Sequence, residues 1–415
     1  MSQLPITTRR EFLTRGLGLV GVSAVLPDFL IRSSLAAPSG NRAPQVLVVI
    51  EQSGGNDTLS TLIPYSNKAY VEGRKVTRIP ESDIIKLDAE LGFHPRLKGF
   101  KELLDEGRLA ILPGVGYPQP NYSHFSSMDI WHMADLRGRC PAVPHGWIGR
   151  AVEKGFGEKS RPILSVAVGT EKSPPALKGP RHAGISFKQA DTFQYTGNQG
   201  DAARAELYKR LHDQPSARPG ETMDFLARTA LAANASSEEI RRLAGAYQPK
   251  VEYPKTKLAR NLRAIAGLLH GGLDTRIYYT VQGGYDTHSD QRKRHDELLT
   301  ELNDAVFAFQ KDLQKQGLDE RVLTFTFSEF SRNVKENGSR GTDHGHAGAM
   351  FCFGTKLKPG MRGAYPSLED IYQVRNGALK HNMDFRAVYA TALKKWLNIP
   401  SESFLGEQPG IDFLA

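Results

Sequence analysis

Apolar runs separated by polar, glycine-rich turns dominate the pattern along this chain. Residues 45–50 form a nearly continuous apolar run, which is typical of a strand buried on both faces of a parallel sheet. Similar runs rich in β-branched and aromatic residues predict five further strands, at 109–112, 163–168, 276–281, 322–330 and 349–354.

Between these runs the apolar positions recur at helical spacing. The pattern predicts helices at 95–106, 126–133, 257–269, 290–316 and 385–397. The strand, long helix and strand that span 276–330 predict a right-handed crossover. We therefore expect an α/β fold with a mostly parallel central sheet and helices on both faces. Residues 66–92 suggest irregular structure, and residues 190–260 suggest a largely helical insertion.

The first 36 residues predict an export signal. Paired arginines at 9–10 precede a short apolar stretch at 16–30, and small residues follow near position 36, in the order of a twin-arginine signal peptide. Pro27 interrupts the apolar stretch, so we expect no stable transmembrane anchor. A signal peptide at 1–36 implies contact with the twin-arginine export machinery and a periplasmic or otherwise exported location.

Composition narrows the choice of partner. The 415 residues are 40% hydrophobic and 24% charged, which is ordinary globular composition and suits a single domain spanning 44–415. The net charge of +9 is dispersed and comes with no nucleic-acid motif. It predicts either a solvated basic surface or a field that attracts anionic substrates, and no nucleic-acid partner.

Cysteine usage excludes two kinds of site. Only Cys140 and Cys352 are present, so zinc ribbons and dithiol redox motifs are absent. Cys352 lies in an apolar strand, which favours a buried free thiol, and pairing with Cys140 stays open.

Polar residues gather where the predicted strands end. Four such stations carry Asp57; Ser123 with His124; Asp286 with His288; and Asp343 with His344 and His346. Active groups in open α/β sheets lie beyond the carboxyl ends of the strands, so these stations are expected to meet. Aspartate with neutral histidine suits zinc, manganese or iron, and carboxylates alone favour magnesium or calcium. A turn or cap is the alternative role for a lone aspartate.

Ser123 precedes a predicted helix, where it is either a nucleophile or only a cap. Ser126 is the next serine to consider, and His381, in a polar C-terminal loop, is a further residue that could reach the site.

The run Gly-Thr-Asp-His-Gly-His at 341–346 resembles the Asp-His signature of the alkaline phosphatase/sulfatase superfamily. The whole mature chain more closely resembles a twin-arginine-exported branch of that superfamily, a domain of unknown function. The stretches that carry this resemblance are 53–57, 117–131, 284–288, 327–332 and 384–390. It implies an alkaline-phosphatase-like fold.

The resemblance also implies roles for individual residues. Asp57 matches the first metal aspartate, Ser123 the nucleophile, Asp286 and His288 the late pair, and Asp343 and His344 the Asp-His ligands; His346 or His381 would be the last histidine. The late pair departs from the superfamily because it reads Asp-x-His instead of Asp-x-x-x-His. The sulfatase signature Cys-x-Pro-Ser-Arg is absent, which argues against a formylglycine sulfatase.

These implications predict an exported hydrolase that cleaves an anionic phosphate or sulfate ester, small or polymeric, by a two-metal mechanism. Ser123 would attack, and the metal ions would be Zn, Mn, Mg or Ca. Arg332 would bind the oxygens of the transferred group, with a salt bridge to Glu329 or another acid as its alternative role. The alternative function is a non-catalytic exported relative that acts as a binding or assembly protein. A serine esterase lacks its Gly-x-Ser-x-Gly motif here.

Overall fold

The computed structural model describes residues 44–137, 145–157, 161–193, 236–374 and 376–415, and the apolar run after residue 44 is the centre of its main sheet. The strands of the described residues are β1 (Val46–Ser53), β2 (Leu62–Ile63), β3 (Ile85–Lys86), β4 (Gly92–Phe93), β5 (Leu109–Gly116), β6 (Ser165–Val168), β7 (Ile185–Phe187), β8 (Ile277–Gly283), β9 (Val322–Phe327), β10 (Gly348–Phe353), β11 (Gly360–Met361), β12 (Ile371–Tyr372), β13 (Ala378–Leu379) and β14 (Met383–Asp384).

Strand β1 lies between two parallel neighbours, β8 and β9. The order across the main sheet is β11-β5-β10-β9-β1-β8-β6-β7, and β14 also pairs with β5. Among the described strands of this sheet, β10 is the one antiparallel to its neighbours. The predicted α/β class with a mostly parallel sheet is confirmed. Because parallel strands end at the same edge, the loops after β1, β8 and β9 lie side by side.

Helices cover both faces of this sheet. They are α1 (Thr58–Thr61), α2 (Lys68–Gly73), α3 (Lys98–Asp105), α4 (His124–Met133), α5 (Trp147–Phe156), α6 (Lys257–His270), α7 (Gln291–Gln316), α8 (Phe385–Thr391) and α9 (Glu402–Leu405). Residues 236–246 are also helical, and Ala392–Trp396 continue α8 as a π-helix. Residues 66–92 were expected to be irregular, but they contain helix α2. The Asn67 side chain stabilises the start of this helix by accepting a hydrogen bond from Ala69 N–H.

Alternating side chains of β1 feed two separate apolar cores. Val48 and Ile50 belong to the core that includes residues of α3, α6 and α7. Leu47 and Val49 belong to the core that includes residues of α4, α5 and α8. Burial on both faces explains why the β1 sequence is continuously apolar.

Several predictions fall outside the described residues and stay predictions. The signal peptide at 1–36 lies there, as do Cys140 and most of the insertion predicted at 190–260. Residues 44–415 group into one compact unit. Cys352 is buried in β10, where burial raises the pKa of its thiol. Within the described ranges, no helix has the length and apolar character needed to cross a membrane.

We predict that Gly54→Ala destabilises the protein by about 2 kcal/mol or more. Gly54 follows β1 with φ +117°, and an added Cβ would lie 2.6 Å from the backbone nitrogen of Asp286. Gly283→Ala is the matched control, because no atom lies within 4 Å of its added Cβ. Chemical denaturation compares the two variants, and equal free energies of unfolding would contradict the close approach of these loops.

Candidate metal centre

Three imidazoles and one carboxylate converge beyond the ends of β1, β8 and β9. His124 is the first residue of α4, Asp286 and His288 follow β8, and His344 lies between β9 and β10. Asp286 Oδ1 lies 3.2 Å from His124 Nε2, 3.1 Å from His288 Nε2 and 3.5 Å from His344 Nε2. The Nε2 atoms of His288 and His344 are 2.8 Å apart. Three sequence stations therefore share one small volume.

The other nitrogen of each ring, Nδ1, faces a hydrogen-bond acceptor. The pairs are His124 with Glu329 Oε1 at 2.7 Å, His288 with Asp343 Oδ1 at 3.1 Å, and His344 with the Tyr122 carbonyl at 2.6 Å. A carbonyl only accepts, so His344 Nδ1 carries the hydrogen, and a carboxylate favours the same tautomer. In the neutral rings, Nε2 then bears a lone pair.

When all three rings are neutral, these lone pairs face one another and Asp286, and either a bound cation or a proton on one Nε2 must offset their repulsion. His124 Nε2 is buried and forms no hydrogen bond within the described residues, although Asp286 Oδ1 lies 3.2 Å away. One donor atom each from His124, Asp286 and His344 lies within 4.8 Å of the others. Histidines that donate Nδ1–H to a carboxylate or carbonyl while Nε2 faces a metal are the usual arrangement in metal sites. The residues present therefore fit a divalent cation.

The charges around the cluster favour a cation as well. Burial opposes ionisation of Asp286, but the hydrogen bond and charge of Arg332 lower its pKa to about 2. Burial lowers the pKa of His344, which favours the neutral, metal-binding imidazole, whereas the hydrogen bond to Glu329 raises the pKa of His124. Three carboxylates, those of Asp286, Glu329 and Asp343, outnumber the one guanidinium that touches Asp286.

Arg332 ties the loops of the centre together instead of facing solvent. Its fully buried guanidinium donates Nε–H to the Gly55 carbonyl at 2.8 Å and Nη2–H to the Tyr285 carbonyl at 2.9 Å. It also donates to the carbonyls of Gly54 and Thr342 and to Asp286 Oδ1, which is 2.8 Å away. The salt bridge expected as its alternative role is present, with Asp286 as the acid.

Asp57 lies apart from the four converging side chains. It is fully buried, its two oxygens form a bidentate ion pair with Arg74, and Ser60 Oγ and Gln291 Nε2 each donate to it at 2.6 Å. These donors occupy the oxygens that a metal ion would need. The structure thus places Asp57 in a buried ion pair, and its role as a ligand stays a prediction.

Asp343 lies behind His288, not beside Asp286. Its Oδ1 accepts from His288 Nδ1 and from Asn337, and its Oδ2 accepts from Asn376, each asparagine at 2.9 Å. The Asp343 carboxylate therefore orients the His288 ring. Of the predicted pair Asp343 and His344, it is His344 that faces Asp286.

His346 occupies a different pocket from the converging donors. It is buried, its Nε2 accepts from the Tyr117 N–H at 3.3 Å, and burial lowers its pKa to about 3. The ring of His381 packs against it, with 5.6 Å between the two ring centroids. The structure brings these two histidines to each other and not to Asp286.

Ser123 is the exposed N-cap residue of α4, next to His124. Its hydroxyl does not form a capping hydrogen bond, so the capping role that the sequence left open beside that of nucleophile is not observed. Ser126 lies half-buried in the first turn of the same helix.

Sequence reasoning named His124 with its station but did not assign it as a ligand, and it treated Glu329 only as a partner for Arg332. The strand predicted at 322–330 ends at Phe327 in the structure, so Glu329 lies beyond a strand end like the other polar stations; the change to polar residues at Ser328 was the signal that could have found it. The carbonyl of Tyr122 had no signal, since a backbone acceptor leaves no mark in the sequence.

The family described as "Protein of unknown function (DUF1501)" matches residues 44–404. No curated protein matches the sequence.

Solved structures of low sequence identity are similar over most of the chain. PsFucS1 sulfatase from Pseudoalteromonas sp. is 12% identical, with a TM-score of 0.40 over 89% of this chain and 71% of its own. The TAB5 alkaline phosphatase mutant His 135 Asp, with Mg bound in its M3 site, is 10% identical, with a TM-score of 0.34 over 76% of this chain and 92% of its own. The C-terminal periplasmic domain of EcEptC from Escherichia coli, in complex with Zn, is 9% identical, with a TM-score of 0.34 over 76% and 74%.

We predict that Asp57→Asn lowers the free energy of unfolding by about 3 to 5 kcal/mol, because it leaves Arg74 buried without its counter-charge. The folded protein should still bind metal. Burial opposes ionisation of Asp57, but Arg74 holds its pKa at about 2, below the ordinary 3.8. A lowered folded-state pKa stabilises the fold above pH 3.8, and this stabilisation is lost as pH falls from about 3.8 to about 2. The variant should lack that acid-dependent loss.

Asp105→Asn is the control, because Asp105 forms an exposed pair with Lys101, for which about 1 kcal/mol or less is expected. Denaturation across pH and metal titration measure both variants. Loss of metal binding by Asp57→Asn without loss of stability would show instead that Asp57 is a ligand.

Proposed function

The chain belongs to the DUF1501 family, and we propose that it is an exported hydrolase that cleaves a phosphate or sulfate ester with one divalent cation. The observation that carries this proposal is the convergence of the Nε2 atoms of three histidines on Asp286 Oδ1. The resemblance of the polar stations to those of the alkaline phosphatase/sulfatase superfamily supplies the class of substrate.

The donor set narrows the metal ions considered from the sequence. Three imidazoles and one carboxylate suit zinc or manganese, whereas magnesium and calcium prefer sites made of oxygen atoms alone. One centre replaces the two metals expected from the resemblance, because the oxygens of Asp57 are already bound by Arg74, Ser60 and Gln291. The proposal is therefore a single-cation site.

A divalent cation held there would act as a Lewis acid toward the ester. The chain itself would supply the nucleophile and the alignment. Ser123 is covalently adjacent to His124, so its exposed hydroxyl is the one we propose to attack. Arg332 would position Asp286, because its hydrogen bonds go to that carboxylate and to backbone carbonyls.

The second candidate function is a non-catalytic exported protein that holds a structural metal and works in binding or assembly. Four protein donors favour it, because structural zinc sites are usually closed by four ligands. Solvent access favours the hydrolase, since the side chains of Asp286 and His288 are 50% and 43% exposed. An ester could approach this side of the cluster directly.

We predict that the purified mature protein contains one divalent cation per chain and that His288→Ala weakens metal binding by at least about 100-fold. Hydrolysis of p-nitrophenyl phosphate or sulfate should fall to background in the same variant. His270→Ala is the control, because His270 is exposed at the end of α6. Elemental analysis, metal titration and the chromogenic assay supply the data.

A wild-type protein that binds no metal would overturn the proposal, and a protonated imidazole would then supply the missing positive charge. Bound metal without hydrolysis of any phosphate or sulfate ester would favour the structural alternative.

We predict that Ser123→Ala keeps the metal and loses at least about 1,000-fold in turnover, because it removes the attacking hydroxyl. Ser126→Ala, three residues along the same helix, should retain activity. Single-turnover assays with metal content measured on the same samples test both variants. Full activity in Ser123→Ala would remove this residue from the mechanism, and an inactive Ser126→Ala would transfer the role to Ser126.

A further inference from the structure

Of the four converging donors, His124 has the least direct connection to the sheet. Asp286 and His288 follow β8 directly, and His344 forms an isolated β-bridge with Arg332, just beyond β9. His124 instead begins α4, eight residues after β5 ends. Something outside its own loop must hold its ring in place against the other three donors.

Glu329 is the residue that reaches His124 from the sheet. It lies two residues beyond β9, and its side chain is 1% exposed. Oε1 lies 2.7 Å from His124 Nδ1. The Gly54 N–H, at the end of neighbouring β1, donates to Oε1 at 2.9 Å and to Oε2 at 3.2 Å. One carboxylate therefore joins the ends of β1 and β9 to the first residue of α4.

The backbone of Glu329 holds the same helix a second time. Its carbonyl accepts from Ser127 Oγ at 2.6 Å and from Trp131 Nε1 at 2.9 Å. Ser127 and Trp131 lie one and two turns along α4 from His124. Contacts at three successive turns fix both the position of the helix along its axis and its rotation about that axis. Because His124 is the first residue of this helix, its backbone position is fixed as well.

We propose that Glu329 is a positioning residue that holds His124 as the Nδ1–H tautomer and thereby delivers Nε2 as a donor to the metal centre. A carboxylate behind a ligating histidine also makes the ring a stronger donor. This inference rests on the proposed metal site and not on ester hydrolysis.

The test compares Glu329→Gln with the wild type in Zn²⁺ and Co²⁺ titrations against a competing chelator. Glutamine keeps the size of the side chain and removes the charge, so affinity should fall about 10- to 100-fold. The absorption bands of the Co²⁺-loaded variant should shift, which a purely structural role would not cause. Thermal unfolding of the metal-free proteins establishes that the variant is folded.

Glu336→Gln is the matched control. Glu336 also anchors a loop, because its carboxylate accepts from the backbone N–H groups of Val76 and Thr77 instead of from any of the four donors. This variant should keep wild-type affinity and bands. In a His124→Ala background, Glu329→Gln should have no further effect on affinity, because its partner is gone.

A measurement without any change to Glu329 covers the case in which that variant does not fold. In the metal-free, ¹⁵N-histidine-labelled wild type, the neutral His124 ring should carry its hydrogen on Nδ1; the missing signal of His124→Ala assigns the resonance. A neutral ring with hydrogen on Nε2 would overturn the proposal, as would wild-type affinity in Glu329→Gln. If metal binding depends on Glu329 but the protein hydrolyses no ester, the role of Glu329 is upheld and the proposed hydrolase function is rejected.

Discussion

The buried guanidinium of Arg332 is the interaction on which the rest of the centre depends. It collects carbonyls of Gly54 and Gly55 after β1, of Tyr285 after β8 and of Thr342 before His344, together with the Asp286 carboxylate. Loops expose carbonyls that no strand satisfies, and each must find a donor when it is buried. One planar cation with several N–H groups meets that need and fixes the distances among the loops that carry the donors.

A second buried ion pair shows how neighbourhood decides the role of a carboxylate. Asp57 and Asp286 are both strand-end aspartates, and each has its pKa held at about 2 by an arginine. Arg74 and two further side chains use both oxygens of Asp57, whereas Asp286 keeps Oδ1 turned toward three imidazoles. The Asp57–Arg74 pair supports the fold, whereas the Asp286–Arg332 pair leaves a carboxylate oxygen facing the imidazoles.

The candidate metal centre also depends on groups outside the four converging donors. Glu329, Asp343 and the Tyr122 carbonyl each hold one Nδ1, and together they turn three Nε2 atoms inward. Two of these acceptors are anionic and one is neutral, so the three imidazoles differ in donor strength. Such an arrangement combines a defined donor set with a side open to solvent, where Asp286 is half exposed.

The sequence by itself determined the α/β class, because continuously apolar runs such as β1 bury two faces and helical spacing marks what packs on them. It also located the polar stations, since strand ends carry chemistry in this class of fold. Only the tertiary structure decided which station residues meet. Side-chain direction after a strand depends on loop geometry, and that geometry is set by Arg332 and Glu329 across hundreds of residues. Hence the sequence grouped Asp57 with Asp286, while the folded chain pairs Asp57 with Arg74 and brings His124 to Asp286 instead.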